Sequence, residues 1–440
     1  MSEIVYRMAS LLEQILDKVP VGTNRALYDL LWTILSGRLL LTRGALFPAL
    51  ADLGLAAQAV RRAEAALCYG RFQVTQLLTA WQLVVATEGR FYPHAYQGYR
   101  PVPVDLVGFF RPRLVGCRSK HYHSQADKAL PAVVLGLGGA VGTVGTMRLC
   151  VPRHIVGDQK EDRTDTDRMR RLLTLAALSL APEEVVIGDR QFSPALMQAA
   201  KVARFVVRAD QNFTAQRNGL PTYCGHGRPP EYGEVVRPLA RFYRDHWIEA
   251  SRPDKVARWK VDGRTLRALI FENLVARQAQ PGAGSFDCIV VLDPRYKQAM
   301  VLLTNLKVMA QTVWCLYHDR WPIEQVPLAG KQMLGAHQSF VFGKDSRVRL
   351  PELALLCGHI LSYVAATSAG VATGFWDRCC RPTCGRLRRV LLRLHFCDLP
   401  VPGGQVHKKA SPTAHLPKGV KAHRRRKALS VGWSPYSKAA

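Results

Sequence analysis

A chain of 440 residues with 48% hydrophobic side chains is too apolar to be disordered throughout, and it is long enough for two or three domains or one large core with insertions. A formal net charge of +28 makes a polyanion the expected partner, because lysines and arginines that neutralise phosphates release counterions. Nucleic acid leads over a membrane surface, since the longest apolar runs, such as LPAVVLGLGGAVG at 130–142, fall short of the roughly 20 residues needed to span a bilayer.

The amino terminus, MSEIVYRMASLLEQILDK, has no basic start followed by an apolar stretch and a small-residue cleavage site, so a cytoplasmic protein is expected. From about residue 5 to 90 apolar residues recur three and four apart, which predicts an all-helical module over 1–95. Within it RGALFPALADLGLAAQAVRRAEAAL reads as a helix, a turn at Gly54 and a second helix with Gln58, Arg61 and Arg62 on its polar side. That order suits a helix-turn-helix that reads DNA, and equally a plain antiparallel helix pair.

From 101 the period changes to that of strands. VPVDLVGFF, ALPAVVLGLG and TMRLCVP predict three strands, and the run at 130–142 is expected to end in a glycine turn. A helix over DTDRMRRLLTLAALSL, a strand EEVVIGDR, a helix PALMQAAKV and a strand RFVVRADQ follow. Together they describe an α/β mixed sheet covered by helices over 96–210. Residues 211–310 read as a β-rich insertion with a DG hairpin turn in KVARWKVDGRTLRALIFENL, and 311–398 return to helices. The tail at 399–440, with KK at 408 and HRRRK at 423–427, is predicted to stay flexible until it meets nucleic acid. Eleven cysteines without paired spacing fit reduced thiols. Cys379, Cys380, Cys384, His395 and Cys397 cluster, but at intervals that match no standard zinc finger or ribbon.

Asp105 interrupts an apolar strand, where a carboxylate is expensive unless a positive group compensates it. Asp189 closes another apolar strand at the end where open sheets place ligands, and Ser193 before Pro194 is the better cap for the helix that follows. In YHDRWPIEQVPLAGK an unbroken helix would gather Tyr317, Arg320, Glu324 and Lys331 within an arc of roughly 60°. Pro322 and Pro327 interrupt that helix, and Pro322 is suited to begin a new one. Three converging carboxylates would hold two magnesium ions, with Mn2+ as a substitute. No G-x-S-x-G, phosphate-binding glycine loop or H-E-x-x-H offers a rival site.

These segments resemble the DDE transposases of bacterial insertion sequences, of the insertion sequence four type, with its pattern Y-(2)-R-(3)-E-(6)-K. Tyr317, Arg320, Glu324 and Lys331 fit it without a gap, and the resemblance covers roughly residues 95–365. It implies a ribonuclease H-like core interrupted by a β-rich insertion, with Asp105, Asp189 and Glu324 as catalytic metal ligands. Tyr317, Arg320, Lys331 and Arg190 would contact DNA. It also implies double-stranded DNA partners, namely the element's inverted repeats and its target, and a homodimer near the bacterial nucleoid. The family often has threonine or serine where this chain has Val107, which keeps Asp127 as the reserve for Asp105. By the same resemblance Trp247 or Trp259 would stack a flipped base. His121, Tyr122 and His123, near Arg111, Arg113, Arg118 and Lys120, read as a phosphate-facing loop. The rival readings are a ribonuclease H-like nuclease or resolvase that does not join, and an inactive transposase-derived DNA-binding protein.

Overall fold

The computed structural model describes residues 3–19, 24–114, 117, 119–157, 162, 164–225, 228–279 and 284–395. The basic tail, Cys397 and Arg118 lie outside them. Helices come first: α1 (Glu3–Asp17), α2 (Asn24–Leu35), α3 (Arg38–Leu41), α4 (Leu46–Asp52), α5 (Ala57–Tyr69) and α6 (Val74–Glu88). Their apolar residues fall on one face, as with Val5, Met8, Leu12 and Ile15 of α1, and that face is buried. Strands β1 (Phe91–Pro93), β2 (Arg100–Phe110), β3 (Lys120–His123), β4 (Lys128–Val144) and β5 (Met147–Val156) follow. Helix and strand then alternate through α7 (Asp165–Ser179), β6 (Glu184–Gly188), α8 (Pro194–Ala199) and β7 (Phe205–Ala209).

The β-rich stretch consists of β8 (Ala215–Arg217), β9 (Val235–Val236), β10 (Arg241–Tyr243), β11 (His246–Ile248), β12 (Lys255–Val261), β13 (Arg264–Ala276), β14 (Phe286–Leu292) and β15 (Met300–Thr304). The last helices are α9 (Ala310–His318), α10 (Pro322–Leu328), α11 (Ser346–Thr367) and α12 (Cys384–Leu392), with a π-helical turn Ala329–Met333 after α10. The expected mixed α/β architecture is therefore present, with parallel and antiparallel strands in one large sheet.

The chain divides into two compact units, after residues 93, 105, 165 and 321, where the sequence reading put divisions after 95, 210, 310 and 398. The first unit takes in the described residues of 1–93, 106–165 and 322–440. Its amino-terminal helices share one apolar core with β4, β5 and α11. Trp81 of α6 donates its indole N–H to Nδ1 of buried His359 in α11 at 2.9 Å. Arg7 of α1 and Tyr363 of α11 both donate to Glu88 Oε2, at 2.9 and 2.7 Å. Amphipathic helices bury their stripe against whatever apolar surface the whole chain supplies, and here much of it comes from residues after 322. Helix α11 is the one helix among the described residues long and apolar enough to cross a membrane; its most apolar window is 78% buried inside the protein.

The run at 130–142, expected to end in a glycine turn, is strand throughout. Strand β4 runs on to Val144 and turns at Gly145, with a bulge between Gly138 and Gly139. A Cβ at Gly139 would lie 2.4 Å from Val151 O, and one at Gly142 2.4 Å from Tyr92 O. These glycines let β5 and β1 close on β4.

The second unit takes in the described residues of 94–105 and 166–321. Strands β2, β6 and β7 run parallel, and β15, β14, β13, β8 and β9 extend the same sheet antiparallel from β7. The β-rich stretch therefore continues the sheet. Asp262 and Gly263, both with positive φ (47° and 77°), turn β12 into β13 with Val261 opposite Arg264, as the DG pair predicts. Val185, Ile187, Val206, Ile289 and Leu302 form the core on which α9 packs Val313 and Leu316.

Candidate active site

Strands β2 and β6 pair parallel with Pro103 opposite Ile187. Asp105 and Asp189 each lie two residues further on, so neighbouring strands bring both carboxylates to the same end of the sheet in the second unit. Both residues are half-buried. Asp105 is an ion-pair partner of Arg320, with Nη1 3.7 Å from Oδ2. The cation that an acid in an apolar strand requires thus comes from a position 215 residues later in the chain. Asp189 Oδ1 accepts the Gln191 N–H at 2.9 Å, a local task the sequence did not reveal. Ser193 caps α8 as expected, accepting the Leu196 N–H at 3.2 Å.

Helix α9 ends at His318, and residues 319–321 form a turn before α10 begins at Pro322. The unbroken helix, and with it the 60° arc, is not formed. Proline lacks the N–H that a continuing helix needs but is well placed at a first turn. Tyr317 is buried in the core of the second unit, and its hydroxyl is hydrogen-bonded to Arg320 and Arg208. Burial pushes the phenol pKa up, and the two guanidiniums oppose that rise. Tyr317 therefore sits behind Arg320, with its ring in the core. Asp319, fully buried, accepts from the Tyr96 hydroxyl at 2.8 Å and lies 2.7 Å from His94 Nδ1. These bonds pin the turn that carries Arg320.

In the first unit Glu324 lies in the first turn of α10, half-buried. Pro327 interrupts the backbone ladder of α10, and the π-helical turn that follows carries Lys331. Gly330 backs onto Gly358 of α11, where a Cβ would lie 2.7 Å from Gly330 N. That close approach fixes the turn, and Lys331 Nζ lies 5.0 Å from the centre of the Phe109 ring. Lys331 also lines a cavity of about 340 Å3 with Gly108, Phe110, His121 and His123. His121 and His123 belong to β3 rather than to a loop, and His121 Nδ1 lies 3.4 Å from Asp165.

Asp127 occupies an exposed turn with φ 46° and accepts from the Tyr122 hydroxyl. Arg190 is exposed and 3.7 Å from Asp210. Gln58, Arg61 and Arg62 are exposed on α5, whose Val60, Ala63 and Leu67 are buried, and Gly54 turns the chain before it at φ 86°. Trp247 is exposed on β11, with its indole N–H donated to Glu249 at 2.7 Å. Trp259 instead packs edge-on against Trp314 in the core of the second unit. Cys379 and Cys380 are exposed and Cys384 is half-buried.

Carboxylates are hard oxygen donors of the kind magnesium takes. Among the described residues no group of three or more His, Cys, Asp or Glu gathers as a metal site. Compared with known protein families and with curated proteins, the chain matches none. The sequence reading missed Asp319, His94 and Arg208. Asp319 stands inside the quoted stretch, but its partner His94 is 225 residues away, so no local pattern marks it.

Proposed function

We propose that the chain is a DDE transposase that cleaves DNA at the ends of an insertion sequence and joins the 3′ ends to a target. The observation that carries this reading is the placement of Asp105 and Asp189 at the same end of neighbouring parallel strands, with Arg320 beside Asp105. The ribonuclease H-like core is part of the reading. What supports it is a strand order in which β5 pairs antiparallel with β4, β4 neighbours β2, and β6 and β7 run parallel to β2.

Asp105 and Asp189, joined by Glu324, are the residues that would hold two magnesium ions. Such ions, when bound, lower the pKa of an attacking water and stabilise the leaving oxygen of a phosphodiester. The chain's own residues do the positioning. Arg320, held by Tyr317 and by the Asp319 turn, and Lys331 would neutralise phosphates beside the scissile bond. Exposed Gln58, Arg61 and Arg62 on α5 would read the inverted repeat, and the enzyme would act as a homodimer on double-stranded DNA.

The test is cleavage of a labelled duplex carrying the element's end. Asp105→Asn, Asp189→Asn and Glu324→Gln are each expected to abolish magnesium-dependent cleavage and leave end binding within about twofold. Full cleavage by any one of them would falsify that residue's place in the site.

A further inference from the structure

Phe340 and Phe342 are 60% and 58% exposed, unusual for two phenylalanines one residue apart. Their rings meet edge to face, with centres 4.8 Å apart. The loop that carries them is fastened down. The Phe340 N–H donates to Gly44 O at 2.8 Å, and Arg111 donates to Val341 O at 3.0 Å while lying over the Phe342 ring at 5.7 Å. The rings are thus held out on a fixed backbone, with little ordering cost left for a ligand.

Beside them lies a cavity of about 310 Å3, lined in part by Arg111, Arg113, His337 and Ser339 and, among the described residues, by no carboxylate. Ser339 is 2% exposed, and among the described residues its hydroxyl has no hydrogen-bond partner; Arg111 Nη1 is likewise buried and unpartnered there. A buried donor without a partner is uncommon and points to a group supplied from outside. Flat aromatic faces, cations and unsatisfied donors together match a nucleotide, whose base stacks while its phosphate takes the charge.

We propose that Phe340 and Phe342 form a stacking platform for an unpaired nucleic-acid strand, with a phosphate taken by Arg113, Arg111 and the Ser339 hydroxyl. Bases in a duplex are already stacked on each other, so an unpaired strand is the form whose faces are open to these rings. The platform operates whether or not the chain cuts DNA.

The experiment uses the full chain and a fluorescein-labelled oligothymidylate, read by anisotropy at a salt concentration that suppresses the general attraction of a +28 chain. The Phe340→Ala/Phe342→Ala double variant is expected to bind about tenfold or more weakly. Ser339→Ala and Arg113→Ala are expected to weaken binding less. In Phe342→Trp, saturating oligothymidylate is expected to quench the added indole emission relative to wild type. Binding by the double variant within twofold of wild type, or an unquenched Phe342→Trp at saturation, overturns the proposal. So does a duplex of equal length that competes better than the single strand and loses as much affinity in the double variant.

Discussion

Arg320 Nη1 stands 3.7 Å from Asp105 Oδ2, within one unit of the fold and 215 residues apart in sequence. Both side chains are mostly shielded, at 16% and 22% exposure, so the pair is less screened than a surface salt bridge. An arginine beside a carboxylate favours its ionised form and at the same time repels any other cation that approaches.

It follows that Arg320→Gln binds Mg2+ or Mn2+ about threefold to tenfold more tightly than wild type in the absence of DNA, because a positive neighbour is gone. Isothermal titration of the two proteins with Mn2+ decides this. Equal or weaker binding by the variant would show that the guanidinium does not oppose a cation at Asp105.

Lys331 and Arg320 are each expected to neutralise one phosphate. Lys331→Ala and Arg320→Ala should lower the slope of log affinity against log salt by about one for a duplex end. An unchanged slope would remove the phosphate contact from that residue. Gly358→Ala tests Lys331 from behind: a Cβ 2.7 Å from Gly330 N must displace the π-helical turn, at a cost of about 1–3 kcal/mol. Its salt slope should shift in the same direction as that of Lys331→Ala.

Asp319 touches no solvent, and its carboxylate serves both Tyr96 and His94. Asp319→Ala leaves those two groups without their acceptor and should cost about 1–3 kcal/mol in a urea titration. Because the turn it pins carries Arg320, cleavage should fall further than the loss of folded protein explains. A variant as stable and active as wild type would show that the turn holds without it.

Stability should fall with acid through His359. Burial pushes its pKa down to about 3, from an ordinary value near 6.5, and its Nδ1 must stay unprotonated to accept from Trp81. The unfolded chain takes up a proton at 6.5 that the folded chain refuses until about 3, so the stabilisation present above 6.5 is lost as pH falls, by about 1.4 kcal/mol per unit. Asp29 acts oppositely: burial raises its pKa to about 6 against the pull of Arg25, so stability drops as pH rises from 3.8 toward 6. The difference between wild type and His359→Gln, which keeps an acceptor for Trp81, isolates the histidine. That difference should change steadily between pH 6.5 and 4, and a flat difference would exclude His359 as the source.

Much of the local structure was legible in the sequence because its causes are local. The DG pair at 262–263 could adopt two positive φ values, Ser193 with Pro194 could cap a helix, and the spacing of Val5, Met8 and Leu12 could bury one stripe. The glycines of β4 misled for an equally physical reason. Glycine marks both a turn and a place where another backbone comes close, and only the neighbouring strands β5 and β1 decide between them.

For the site, the residues at Tyr317, Arg320, Glu324 and Lys331 could be singled out by their spacing, but the spacing could not say how they are held. Proline at 322 and 327 broke the helix that would have aligned them, and burial turned Tyr317 into a support for Arg320. Sequence by itself determined most of the elements, the chemical types and the overwhelming positive charge, since each depends on residues a few positions apart or on simple sums. Which strands lie side by side, which cation faces Asp105 and which acid of the 319–321 turn is buried were decided by tertiary structure alone. Those contacts join residues from about eighty to more than two hundred positions apart, as with Pro103 and Ile187 or His94 and Asp319, and the burial free energy that selects them belongs to the assembled core.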